Sequence, residues 1–128
     1  LAQSANESGW GTSRFATQAK NMFGIWCFRE GCGVKPLRRE AGRKYEVAKY
    51  NTIEESVEAY MLNINSHRAY RDLRNIRSTA RATDNNLSGI AMAEGLAAYS
   101  ARGEQYVKEI KQLIRVNKLQ RFNFNDKV

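Results

Sequence analysis

Between Gly24 and Tyr50 the helical periodicity of the chain stops, and this interruption limits the folds open to it more than any other feature. The segment holds the only proline, Pro36, and both cysteines, Cys27 and Cys32. In "KYEVAKY", apolar side chains recur at Tyr45, Val47 and roughly at Tyr50, the alternation that a half-buried strand requires. "EAGR" supplies a turn between two extended arms, so a β-hairpin lobe is expected over about 33–50.

Helices flank the interruption. Residues 1–8 read as the end of a helix, with Leu1 and Ala5 on one face, Glu7 in the last turn and Gly9 as the stop. Glu7 therefore sits where the helix dipole is already negative, the less favourable end for a carboxylate. A charge placed against that preference needs either compensation or a purpose. Residues 12–20 predict a second short helix that buries Phe15 and Ala19. After the interruption, Thr52 and Glu55 have the spacing of a capping box, and Ile53, Val57, Tyr60, Met61 and Ile64 predict the buried face of a long helix. "NSHRAY" breaks it, with His67 read as a loop or helix-start residue. Tyr70, Leu73 and Ile76 mark a further helix, and another is expected from about Leu87 to Ala98. A last one, about 103–117, carries Tyr106, Val107, Ile110, Leu113 and Ile114 on one stripe. "KLQRFNFNDKV" has no regular period.

The 128 residues show no repeat and no low-complexity linker, so one domain over 1–128 is expected. The fold class is α+β and mainly α: helices with one small β-hairpin lobe facing them across a groove. No apolar run approaches the ~20 residues of a membrane span, and no signal-type leader is present. The chain lacks an initiator Met and opens inside a helix, so an upstream segment is expected. Its net charge of +8 favours an anionic partner. The basic residues form no single stripe and no nucleic-acid-binding motif is present, which points away from nucleic acid and toward an anionic wall polymer. Cys27 and Cys32 with a single histidine cannot assemble a four-ligand zinc site; a local disulfide is the better expectation, and it implies an oxidising compartment, periplasmic or extracellular.

"AQSANESGWGTSRFA" followed by "NMFGIWCF" resembles the bacterial N-acetylglucosaminidase domains of glycoside hydrolase family 73, which have a lysozyme-like fold. "FGIWCFREGCG", "YEVAKYNTIEESVEAYMLNINSHRAYRDLR" and "GLAAYSARGEQYVKEI" are similar to its Bax-like branch, and together they cover nearly the whole chain. The resemblance implies hydrolysis of the β-1,4 bond between N-acetylglucosamine and N-acetylmuramic acid in peptidoglycan, with Glu7 as general acid. An acid that protonates a glycosidic oxygen must hold its proton near neutral pH, which apolar surroundings favour; Trp10, Phe15, Phe23 and Trp26 are the aromatic candidates. Trp10 is expected to pack beneath Glu7.

Glycosidases commonly pair two carboxyls, about 5–5.5 Å apart when retaining and about 6.5–9.5 Å when inverting. The resemblance places the second in the β lobe, where Glu40, Glu46 and Glu30 are the candidates in that order; the substrate's own 2-acetamido group is the alternative nucleophile. It also implies a tyrosine near the groove, Tyr99 or Tyr106, although "SARG" departs from the commoner acidic, proline-containing form of that segment. Trp26 and Phe28 are candidates for stacking on sugar faces and Asn21 for hydrogen bonding to them. Arg39, with Arg38, Arg43 and Lys44, is a candidate for the lactyl and peptide carboxylates of the wall. No metal or cofactor is implied, and a monomer is expected. The competing activities are a lytic transglycosylase or muramidase and a glycan-binding module without turnover.

Overall fold

The computed structural model describes residues 1–39, 41–83 and 86–123. Mainly helical with one small antiparallel sheet, the fold is of the expected α+β, lysozyme-like class. Its contacts divide into two compact units, one formed by Leu1 and residues 3–61, the other by Ala2 and the residues from Leu62 onward. Among the described residues, no helix is long and apolar enough to cross a membrane.

The first unit contains α1 (Ala2–Ser8), α2 (Arg14–Ala19), β1 (Trp26–Cys27), β2 (Gly33–Val34), β3 (Glu46–Ala48) and the start of α3 (Ile53–Ser66). Helix α1 ends where expected, because Gly9 adopts the left-handed conformation (φ 56°, ψ 47°) that glycine enters without a Cβ penalty. Ser13 starts α2, its hydroxyl accepting from Ala16 N–H at 3.1 Å. Ala16 and Ala19 are buried; Phe15, expected inside, is only half-buried.

The expected hairpin is the β2–β3 pair of a three-stranded sheet whose spatial order is β1–β3–β2. Gly33 pairs with Ala48 and Val34 with Val47, while Trp26 and Cys27 on the other side pair with Val47 and Glu46. Glycine is required at 33, since a Cβ there would lie 1.9 Å from the carbonyl oxygen of Val47. Central strand β3 is wholly buried and the sheet has one more strand than the hairpin reading supplied.

The predicted cap of α3 is present. Thr52 Oγ1 accepts from Glu55 N–H at 3.1 Å, and the Glu55 carboxylate reaches back to Asn51 N–H at 3.0 Å. Its buried face differs from the expected one. Tyr60 is half-buried and Ile64 buried, as expected, whereas Ile53, Val57 and Met61 are exposed and Ser56, outside the apolar pattern, lies inside. Ser56 is fully buried, with its hydroxyl donating to Ile53 O at 2.7 Å and accepting from Met22 N–H at 3.4 Å. A serine that satisfies its hydroxyl on main-chain groups can be buried without penalty.

In the second unit a 3₁₀ turn, Arg68–Tyr70, leads into α4 (Arg71–Ala82), followed by α5 (Gly89–Met92), a 3₁₀ segment Ala93–Tyr99, α6 (Glu104–Val116) and a 3₁₀ turn Leu119–Asn123. His67 caps the first turn, its Nδ1 accepting from Ala69 N–H at 3.0 Å, in keeping with its reading as a helix-start residue. The single helix expected over 87–98 is a short α-helix that tightens to 3₁₀. Within the 3₁₀ part, a Cβ at Gly95 would meet the Leu73 backbone nitrogen at 2.4 Å, an approach open only to glycine. Tyr106, Val107, Ile110 and Ile114 of α6 form the buried stripe predicted for it, against Leu73, Ala93 and Leu96. Residues 124–128 of the aperiodic tail lie outside the described residues.

Candidate functional site

The geometry around Glu7 begins with the turn that follows it. Ser8 is fully buried; its Oγ donates to Ser4 O at 2.6 Å and accepts from Gly11 N–H at 2.9 Å. Gly9, Trp10 and Gly11 all have positive φ (56°, 57° and 82°), and the Trp10 amide is held by Ala5 O at 2.9 Å. A left-handed tryptophan costs roughly 1–2 kcal/mol. The surrounding hydrogen bonds hold it there, and its ring is 62% exposed. The expectation that Trp10 packs beneath Glu7 is thus corrected: the turn conformation sends the indole outward.

The residue against Glu7 is Gly24. It has φ +67°, and a Cβ built on it would lie 3.0 Å from Glu7 Oε2 and 3.7 Å from Glu7 Cδ. Glu7 itself is half-buried. The loop carrying Gly24 is fixed by Asn21, whose Nδ2 donates to Ile25 O at 2.9 Å and Ala48 O at 3.0 Å, and whose Oδ1 accepts from Phe23 N–H at 3.1 Å and Ile25 N–H at 3.2 Å. At 1% exposed, Asn21 is not available to a sugar. It was expected to bind substrate; it instead ties the glycine wall to the central strand. From the other side, buried Phe23 stacks on Tyr60 (centroids 4.1 Å apart, planes at 15°), and the Tyr60 hydroxyl hydrogen-bonds Gln3 Oε1 in α1. Glu7 and Gly24 therefore sit on two segments that are each anchored within the same unit. Asn21→Leu should lower stability by roughly 3 kcal/mol or more, because it strips partners from several buried backbone groups. Thermal or denaturant unfolding of the variant checks this.

The β lobe is fastened by the other candidates. Cys27 and Cys32 form the expected disulfide. Glu46 is buried, with Oε2 accepting from Gly31 N–H and Oε1 from Gly33 N–H, each at 3.0 Å. Those two amides, and then Lys35 and Arg39, hold its carboxyl below the ordinary carboxylate range against the opposing effect of burial. Through these two bonds Glu46 clips the disulfide loop onto β3. A carboxyl stabilised as its anion in the fold adds stability above the ordinary value of 4.5 and loses that contribution as pH falls through the lower folded value. Glu46→Gln should therefore lower the melting temperature by several degrees near neutral pH, with the gap to the parent closing in acid below that window. Melting curves at a series of pH values measure it.

Trp26 is 48% exposed and stacks on Tyr45, with centroids 3.9 Å apart and planes at 14°. Phe28 is 72% exposed. Both therefore offer ring faces to solvent, as a stacking role demands. Arg39 donates from Nη1 to Tyr45 O at 2.8 Å, which steadies the ring beneath Trp26. Glu30 is exposed, and Glu40 lies outside the described residues.

In the second unit, Tyr99 ends its 3₁₀ segment half-buried and stacks on Tyr106 (5.7 Å, 9°), with Tyr70 tilted against it at 6.0 Å. Tyr106 has no solvent exposure, so its side chain belongs to the core and the catalytic reading of it is corrected. Burial also raises the Tyr70 hydroxyl above its usual range. Tyr99 is the one of the two expected tyrosines that reaches the surface. A depression of about 450 Å³ in this unit, lined by Ile76, Thr79, Leu87, Met92 and neighbours, has no acidic or basic side chain in its wall among the described residues.

Gly24 and Asn21, the residues that set the wall beside Glu7, gave little signal as such. "FGIW" could have indicated a glycine admitted for close approach, and "Asn-x-x-x-Ile" before a strand could have indicated a side chain closing a turn on itself.

The glucosaminidase family model, described as mannosyl-glycoprotein endo-beta-N-acetylglucosaminidase, matches residues 1–119. Protein bax of Escherichia coli (strain K12) is 36% identical over 102 residues, which make up 80% of this chain and 35% of that protein. The chain thus spans about a third of the length of that relative. No solved structure matches the chain.

Proposed function

The chain belongs to the glucosaminidase family, and from that premise we propose that it is a peptidoglycan endo-β-N-acetylglucosaminidase in which Glu7 is the general acid. The observation that carries this is the Glu7 carboxylate, fixed at a helix end against the bare backbone of Gly24. With no side chain at 24, a polymer can approach the carboxyl closely enough for its proton to reach the glycosidic oxygen. Protonation lets the aglycone leave as an alcohol while positive charge develops at the anomeric carbon. The partner role passes from Glu46 to Glu40, Glu30 or the substrate's 2-acetamido oxygen, because both Glu46 oxygens are already engaged by backbone amides. Trp26 and Phe28 act as sugar platforms, and Tyr99 orients the acetamido group or a water. The protein works as a monomer in the cell envelope, periplasmic or extracellular, where the Cys27–Cys32 bond persists.

Mass spectrometry of digested cell wall tests the bond assignment. Fragments with new reducing-end N-acetylglucosamine are expected. Reducing muramic acid or anhydromuramic ends would show instead that the other linkage is cut.

A further inference from the structure

Seven of the 21 basic residues fall between positions 29 and 49, against three acids in the same stretch. The described part of this segment forms a depression of about 270 Å³ lined by Phe28, Glu30, Lys35, Arg39, Lys44 and Glu46. Three cationic side chains thus share one small concavity with two carboxylates. One of those, Glu46, is committed to the amides of Gly31 and Gly33. The concavity is not a loose surface feature. Its floor is clipped by Glu46 and the disulfide, the backbone of Lys35 is held through its carbonyl by Arg14 Nη2 at 2.7 Å, and Arg39 is held on Tyr45 O. A guanidinium has five N–H donors and an ammonium three, so one bond to Tyr45 leaves capacity for a further acceptor. The volume lies at the small end for organic ligands, suited to a short branch and not to a disaccharide. Phe28 supplies an apolar wall beside the charges.

We propose that Lys35, Arg39 and Lys44, with Phe28, form a specificity subsite for a carboxylate-bearing branch of the glycan, the lactyl-linked stem peptide of a muramic acid. This rests on the peptidoglycan reading above and deepens it. The enzyme would then distinguish wall glycan from neutral chitin-like chains through its β lobe, while the cleaved bond is handled at Glu7.

Binding is measured in a Glu7→Gln background, so that the probes survive, with three ligands: chitohexaose, glycan strands stripped of peptide by an amidase but retaining lactyl carboxylates, and strands bearing stem peptides. Lys35→Gln combined with Lys44→Gln should weaken binding of carboxylated strands roughly tenfold at low salt and leave chitohexaose unchanged. Loss confined to peptide-bearing strands supports the subsite and puts the carboxylate on the peptide. Loss on both carboxylated probes supports it and shows that the free lactyl carboxylate of stripped strands can stand in for a carboxylate of the peptide, since in peptide-bearing strands the lactyl carboxyl is tied up as an amide. Lys35→Arg combined with Lys44→Arg should retain the binding, which separates charge from folding. If chitohexaose binds and the Gln pair changes no carboxylated ligand, or weakens all three equally, the subsite is wrong while the glycan-binding reading stands. Failure of the Glu7→Gln parent to bind any of the three overturns both.

Discussion

Glu7→Gln is expected to retain the fold and lower wall-glycan hydrolysis by roughly 10²–10⁴-fold, the usual contribution of a positioned general acid. The substitution keeps the shape and hydrogen-bonding reach of the side chain and removes only the transferable proton. It sits in a turn whose hydrogen bonds are made by Ser8, Gly9, Trp10 and Gly11, so those bonds survive it. Circular dichroism and melting temperature should therefore match the parent while the release of soluble wall fragments falls. A loss of turnover accompanied by unfolding would indicate instead that the carboxylate is structural.

Gly24→Ala should also lower turnover, for a different reason. The added methyl would stand 3.0 Å from Glu7 Oε2, closer than ordinary van der Waals contact, on the side of the carboxyl that faces Gly24. The flexible end of the glutamate gives way by a few tenths of an ångström, which moves the reacting group off its productive geometry and costs turnover, a shift of about 1 Å being worth on the order of 10²-fold. Alanine at φ +67° also carries a backbone penalty of roughly 1–2 kcal/mol. Gly103→Ala separates the two effects: Gly103 has φ +54° but nothing within 4 Å of a built Cβ. Both variants should melt lower, and only Gly24→Ala should lose kcat. Equal activity in the two at permissive temperature would remove Gly24 from the account.

The features that sequence carries well are those in which one residue type does one local job. Gly9 stops α1 and so sets Glu7 in the last turn; Thr52 and Glu55 cap α3; the stripe from Tyr106 to Ile114 finds the core. Local spacing likewise made a Cys27–Cys32 bond legible. What escaped reading were polar residues whose partners are remote in sequence or supplied by the backbone. Asn21 and Glu46 have the chemistry of ligands for a sugar, yet Asn21 spends its whole hydrogen-bonding capacity on main-chain groups and each Glu46 oxygen accepts from a main-chain amide. Ser56 is buried on α3 unforeseen, because an apolar pattern gives no weight to a serine whose hydroxyl is satisfied by main-chain groups. Strand β1 is two residues long and shows no alternation to read. Gly24 matters through what it lacks, which only its distance to Glu7 reveals.

The proton-donor role of Glu7 is tested most directly by comparing leaving groups. The parent and Glu7→Gln should be assayed on chitooligosaccharide, whose sugar alkoxide needs protonation to depart, and on a 2,4-dinitrophenyl β-chitobioside, whose phenolate does not. Glu7→Gln is predicted to lose roughly 10²–10⁴-fold on the oligosaccharide and to keep most of its bond-cleaving rate on the aryl glycoside. An equal loss on both substrates, or no loss on either, would contradict the assignment of Glu7 as general acid.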